Sequence, residues 1–211
     1  MTSTARPLVR RLLAAPLLFL GLTACLGSSS EFEEVTTYRW IEPSPQLLNQ
    51  IQDEIRKLPW TRGFERVEQI RWLASVGEPA YAELLLLVED PRDDVAAAGL
   101  AALGATLDRR LVEPIKSMRW SKAREESDLG FERARTLVRL GDWEKIPVLI
   151  RGLEDERVYT RTLCIETLFE TTRQELEYDP RADEASRAEA VKRWRAWWVK
   201  RKADGMLQPR P

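Results

Sequence analysis

The 211 residues carry 33 Lys and Arg against 34 Asp and Glu, two Cys and no His, and 44% are hydrophobic. Without His there is no imidazole acid–base catalysis, no Ser-His-Asp or Cys-His dyad and no His-ligated metal. Two cysteines, Cys25 and Cys164, exclude a thiolate zinc cluster or a disulfide scaffold, and a formal charge of −1 gives no general pull toward nucleic acid.

The chain opens on a basic stretch, Arg6, Arg10 and Arg11, followed by an apolar run from Leu12 to Leu20. That run is shorter than the ~20 residues of a membrane-spanning helix and has the length of a secretory h-region. Leu22-Thr23-Ala24-Cys25 follows and resembles the lipobox of bacterial lipoproteins. The resemblance implies a signal peptide over residues 1–24, cleavage before Cys25, and acyl chains on Cys25 that hold the protein on a membrane. Leu26, in place of Asp, resembles lipoproteins that move on to the outer rather than the inner membrane of the cell envelope. Residues 25–44, with Gly27-Ser28-Ser29-Ser30 and Pro43, are expected to form a lipidated flexible tether.

From Pro45 the hydrophobic residues follow a helical period. Leu47, Leu48, Ile51 and Ile55 predict a first helix that stops before Pro59. Val67, Ile70, Leu73 and Ala74 predict a second ending at Gly77. Tyr81, Leu84, Leu85 and Val88 stand at i, i+3, i+4 and i+7, one face of a third. Asp90-Pro91 breaks it, and Val95, Ala98, Gly99, Ala102 and Leu103 predict a fourth ending at Gly104, whose small residues invite close approach of a neighbour.

The third helix recurs 65 residues later. Tyr81, Leu84, Leu85 and Val88 correspond to Ile146, Leu149, Ile150 and Leu153, and the turn Glu89-Asp90 to Glu154-Asp155. A degenerate copy lies between, in Leu111, Val112 and Ile115 followed by Leu137, Leu140 and Gly141. Helix-ending pairs recur at Val76-Gly77, Leu103-Gly104, Leu140-Gly141 and Leu168-Phe169. A charged insertion, Arg119 to Gly130, lengthens the middle unit. Paired helices with an acidic turn at this period predict an all-α, right-handed α-solenoid over residues 45–202. These residues resemble HEAT repeats, and the resemblance covers about residues 60–170.

Tyr178-Asp179-Pro180 leads into Arg187, Ala190-Val191 and Arg193-Trp194-Arg195-Ala196-Trp197-Trp198, with Ser186 and Glu189 offering a capping box. This resembles the closing helix of a group of bacterial HEAT-repeat proteins. Trp194, Trp197 and Trp198 are expected to form a structural cap over the last repeat's open apolar edge; a ligand platform is the alternative. Residues 203–211 are expected to be a disordered tail. Residues 181–211 hold nine basic against four acidic side chains, read as a solvated face or as a contact for anionic headgroups or an acidic partner.

Cys164, among Leu163, Ile165 and Leu168, is expected to be buried and inert. Asp93-Asp94 and Glu154-Asp155-Glu156 are expected to complement helix dipoles and not to bind cations, because they lack the spaced oxygen ligands of a calcium loop. With no Gly-rich phosphate loop, nucleophile elbow or paired-carboxylate motif, no catalytic residue, metal or cofactor is expected. Trp120, flanked by Arg119, Lys122 and Arg124, is the candidate exposed aromatic for contacting a partner. Three function classes stay open: a membrane-tethered scaffold holding an envelope protein or peptide, an enzyme or enzyme accessory of HEAT-like type, and a purely structural envelope lipoprotein. Nucleic acid is not an expected partner.

Overall fold

The computed structural model describes residues 38–205; Cys25, the expected signal peptide and most of the expected tether lie outside them. Helices α1 (Pro45–Lys57), α2 (Gly63–Val76), α3 (Tyr81–Val88), α4 (Asp93–Ala105) and α5 (Val112–Ser117) open the series. They are followed by α6 (Lys122–Glu125), α7 (Asp128–Arg139), α8 (Ile146–Gly152), α9 (Val158–Thr172) and α10 (Glu184–Ala203). No strand occurs among the described residues, and the fold is all-α.

Local chemistry sets the boundaries. Ser44 Oγ accepts from Leu47 N at 3.3 Å and Pro45 takes the first helical position, where a missing N–H costs nothing. Gly77 ends α2 at φ 71, a conformation that costs an L side chain about 1–2 kcal/mol. Asp108 and Asp142, 34 residues apart, each accept from the backbone N–H two residues on, at Arg110 (2.9 Å) and Glu144 (3.3 Å). These are the caps of the single 3₁₀ turns that lead into α5 and α8. The 65-residue repeat also holds at atomic detail. Arg92 N donates to Asp90 Oδ1 and Arg157 N to Asp155 Oδ1, both at 2.9 Å, and each guanidinium folds back on the same carboxylate.

Packing stacks four of the helices in one row. α2 lies on α4, α4 on α7 and α7 on α9, while α3 pairs with α4 and α8 with α9 as hairpins. α1 packs on α2 and α3, and α10 packs on α8. Small residues make the hairpin contacts tight: a Cβ on Gly99 would stand 3.3 Å from three atoms of Leu87. Every apolar position used to place α4 is buried. Two core clusters result, one from Ile51 through Leu103 to Leu140, the other joining Ala134, Ile146, Leu149, Leu153 and Cys164 to Val191 and Trp194.

Four expectations are corrected. Packing against the helices extends N-terminal of Pro45: Trp40 packs edge-on against Tyr81 with ring centroids 5.1 Å apart, under the guanidinium of Arg110 at 5.6 Å. Ile41 N also donates to Glu78 Oε1, so aromatic burial fixes a stretch read as tether. The cap of α10 is Asp183, whose Oδ1 accepts from Ser186 N at 3.0 Å; Ser186 is inside the helix. α9 continues past Leu168-Phe169 to Thr172, where Arg173 takes a left-handed φ of 56 that a search for glycine would miss. At the C-terminus, α10 includes Ala203, Asp204 and Gly205 follow as a turn, and residues 206–211 lie outside the described residues.

Candidate functional site

Among the described residues the Arg119–Gly130 insertion is built inward. Arg133, almost fully buried, donates through Nη2 to the carbonyls of Ile115 (2.7 Å), Lys116 (3.2 Å) and Met118 (2.9 Å), closing the end of α5. It also pairs with Glu125, and burial lowers its pKa from the usual guanidinium value. Arg124 Nη2 donates to the carbonyls of Val88 and Asp90, at 3.2 and 2.8 Å, closing the end of α3. Trp120 lies against both guanidinium groups, 4.8 Å from Arg124 and 4.6 Å from Arg133, and its Nε1 donates to Glu89 at 3.4 Å. It packs partly buried on the first core cluster. The expectation that Trp120 is exposed is therefore corrected: it and Arg124 are partly buried and clamp neighbouring helix ends. Lys122 is exposed and 3.7 Å from Glu126; Arg119 is exposed nearby and also has an interaction partner. Gly130 falls inside the first turns of α7, where a Cβ would strike the Glu125 backbone.

The tryptophans of α10 are separated by depth. Trp194 is 0% exposed, beside Ala190 and Val191 on one helix face. Trp197 stands edge-on to it at 5.6 Å, half-buried like Trp198. Further along, Arg201 stacks over the Trp143 ring at 5.0 Å. Cys164 is fully buried and desolvation pushes its thiol up to about 12. Asp90, Asp108 and Asp155 are held below the usual carboxylate range first by hydrogen bonds from Arg92, Arg110 and Arg157; they are structural turn pairs.

Two grooves were not legible in the sequence. The first, about 520 Å³, crosses the C-terminal ends of three stacked helices. Gly104 and Ala105 come from α4, Val138 and Arg139 from α7, and Glu170 and Thr171 from α9; Leu107, Trp143 and Arg173 complete it. Arg139 and Glu170 pair across it at 2.8 Å. Leu107, 65% exposed, and Arg173 hold left-handed φ values of 57 and 56. A non-glycine residue there costs roughly 1–2 kcal/mol, and such strain concentrates at functional sites. The second groove, about 610 Å³, runs between Ile165 and Phe169 of α9 and the segment Gln174–Asp179, with Glu177 at φ 52. All three left-handed non-glycine residues among those described thus line these two grooves. The only available sequence signal is the absence of Gly where Thr106-Leu107 and Thr172-Arg173 end helices.

No set of His, Cys, Asp or Glu able to hold a metal occurs among the described residues, and none of their helices is long and apolar enough to cross a membrane. Comparison with protein-family models, curated proteins and solved structures gave no match.

Proposed function

We propose that the chain is a non-catalytic interaction scaffold of the bacterial envelope, held on the membrane by acyl chains on Cys25 and built as a short, right-handed HEAT-like solenoid. The observation that carries this reading is the 520 Å³ groove, because it draws on three successive helices of one row and two strained residues line it. Its apolar surface (Ala105, Leu107, Val138, Trp143) and its charges (Arg139, Arg173, Glu170) suit an extended peptide that inserts an apolar side chain and offers a carboxylate or carbonyl to Arg173. The row-wise stacking of α2, α4, α7 and α9 supports the repeat reading. The lipobox residues Leu22-Thr23-Ala24-Cys25 support the anchor.

Leu107→Asp places a charge in the groove without disturbing the core, since Leu107 is exposed. The variant should lose a co-purifying envelope protein that wild type and Leu86→Asp both retain. Leu86 is also exposed but lies on α3, outside the row that forms the groove. Retention by Leu107→Asp would defeat the groove assignment. An intact mass equal to the uncleaved, unmodified chain would defeat the anchor.

A further inference from the structure

Trp60 and Phe64 are the most exposed large hydrophobic side chains among the described residues, at 85% and 77%. Trp60 lies in the turn between α1 and α2, Phe64 is the second residue of α2, and hydrogen bonds and buried side chains hold the turn. Leu58 and Thr61 point inward and are buried, with Thr61 Oγ1 2.6 Å from Gln69 Oε1. Trp60 N donates to Lys57 O at 2.9 Å, and Arg62 Nη1 donates to the carbonyls of Pro59 (2.9 Å) and Thr61 (2.6 Å). Gly63, at φ 56, permits the sharp entry into α2. Both rings therefore project into solvent from a hydrogen-bonded turn and the helix start that follows it.

Three cations, Arg56, Lys57 and Arg62, flank the pair. Their partners Asp53, Glu54 and Asp94 form surface ion pairs, which are weak and exchangeable for other anions. Aromatic rings beside Lys and Arg on a projecting turn have the chemistry of a bilayer interface, where rings settle at headgroup level and cations meet phosphates. We propose that the α1–α2 turn is a second membrane contact, with Trp60 and Phe64 entering the headgroup region. This rests on the proposed acyl anchor, because two rings alone bind a bilayer weakly and a tether raises their local concentration. Thirteen residue steps separate Cys25 from Tyr38, a reach of at most about 45 Å. α1, 13 residues long, spans about 20 Å, so chain length permits both contacts at once.

The test uses the acylated full chain in vesicles of phosphatidylethanolamine and phosphatidylglycerol, with an environment-sensitive fluorophore on Trp60→Cys, Phe64→Cys or, as control, Tyr159→Cys, whose ring is 72% exposed. Buried Cys164 stays unlabelled. Probes at 60 and 64 should brighten about threefold or more and be quenched by brominated lipid, while the probe at 159 stays aqueous. Adding Trp60→Ala to the Phe64→Cys chain should remove most of that gain, with the melting temperature unchanged. A probe at 60 as aqueous as the one at 159 overturns the proposal. So does a probe at 60 that responds only when native envelope protein is added, which would assign the turn to a protein partner. Flotation with the vesicles and intact mass read the anchor separately, so its failure is distinguishable from failure of the turn.

Discussion

Replacing Trp194 with Ala separates a buried closing helix from a ligand platform. Trp194 is 0% exposed and sits in one cluster with Val191 and the α8 residues Ile146, Leu149 and Ile150. Its Nε1 meets no hydrogen-bond acceptor among the described residues, so the ring contributes through packing. A fully buried tryptophan removes on the order of 200 Å² from water, about 5 kcal/mol at ~25 cal/mol per Å². Mutational series, in which the Ala keeps part of that burial and the site partly collapses, give about 3–5 kcal/mol. For a protein of this size each kcal/mol lowers the melting temperature by roughly 2–4 °C, so the expected loss is roughly 6–20 °C. Trp60→Ala is the internal control; its ring is exposed and its cost should fall within about 0.5 kcal/mol. The assay is thermal unfolding followed by far-ultraviolet circular dichroism. A Trp194→Ala protein melting within a degree or two of wild type would refute the reasoning.

Three further outcomes follow from the same contacts. A Cβ on Gly152 would fall on Cys164 Sγ and approach the Phe131 ring at 3.1 Å, so Gly152→Ala should cost about 1–3 kcal/mol in chemical denaturation. Leu107→Gly should instead stabilise the fold by about 1 kcal/mol, because it relieves a left-handed φ of 57 at an exposed site, while weakening whatever the groove holds. Asp90 and Asp155 are more acidic in the folded state than in the unfolded chain, so their stabilisation is complete above the unfolded value of about pH 4 and is lost as pH falls through the lower folded values. Asp90→Asn with Asp155→Asn should flatten the acid limb of the stability profile and leave its shape above pH 6 unchanged.

The helical hairpins were legible because their cause is local. Leu84, Val88, Leu149 and Leu153 stand at helical spacing ahead of an Asp turn whose cap is built within two residues, and every one of them is buried. Trp120 was misread because what covers it is not local. Arg133 reaches it from α7, and no spacing rule in the sequence predicts a guanidinium stacked on that ring. Trp40 falls in the stretch read as tether for a similar reason, since Tyr38 and Trp40 show no helical period and the partners Tyr81 and Arg110 are distant in sequence. The groove depends on the ends of α4, α7 and α9 meeting in space and on backbone angles at Leu107 and Arg173. The pattern that placed the helices carries neither.

The most direct test of the scaffold reading is site-specific photocrosslinking in the native cells, with the probe at Leu107 in the groove or at Leu86 on α3, away from it. The account predicts one discrete envelope-protein adduct from position 107 and none from position 86. Equal, diffuse adducts from both positions, or none from 107, would contradict it.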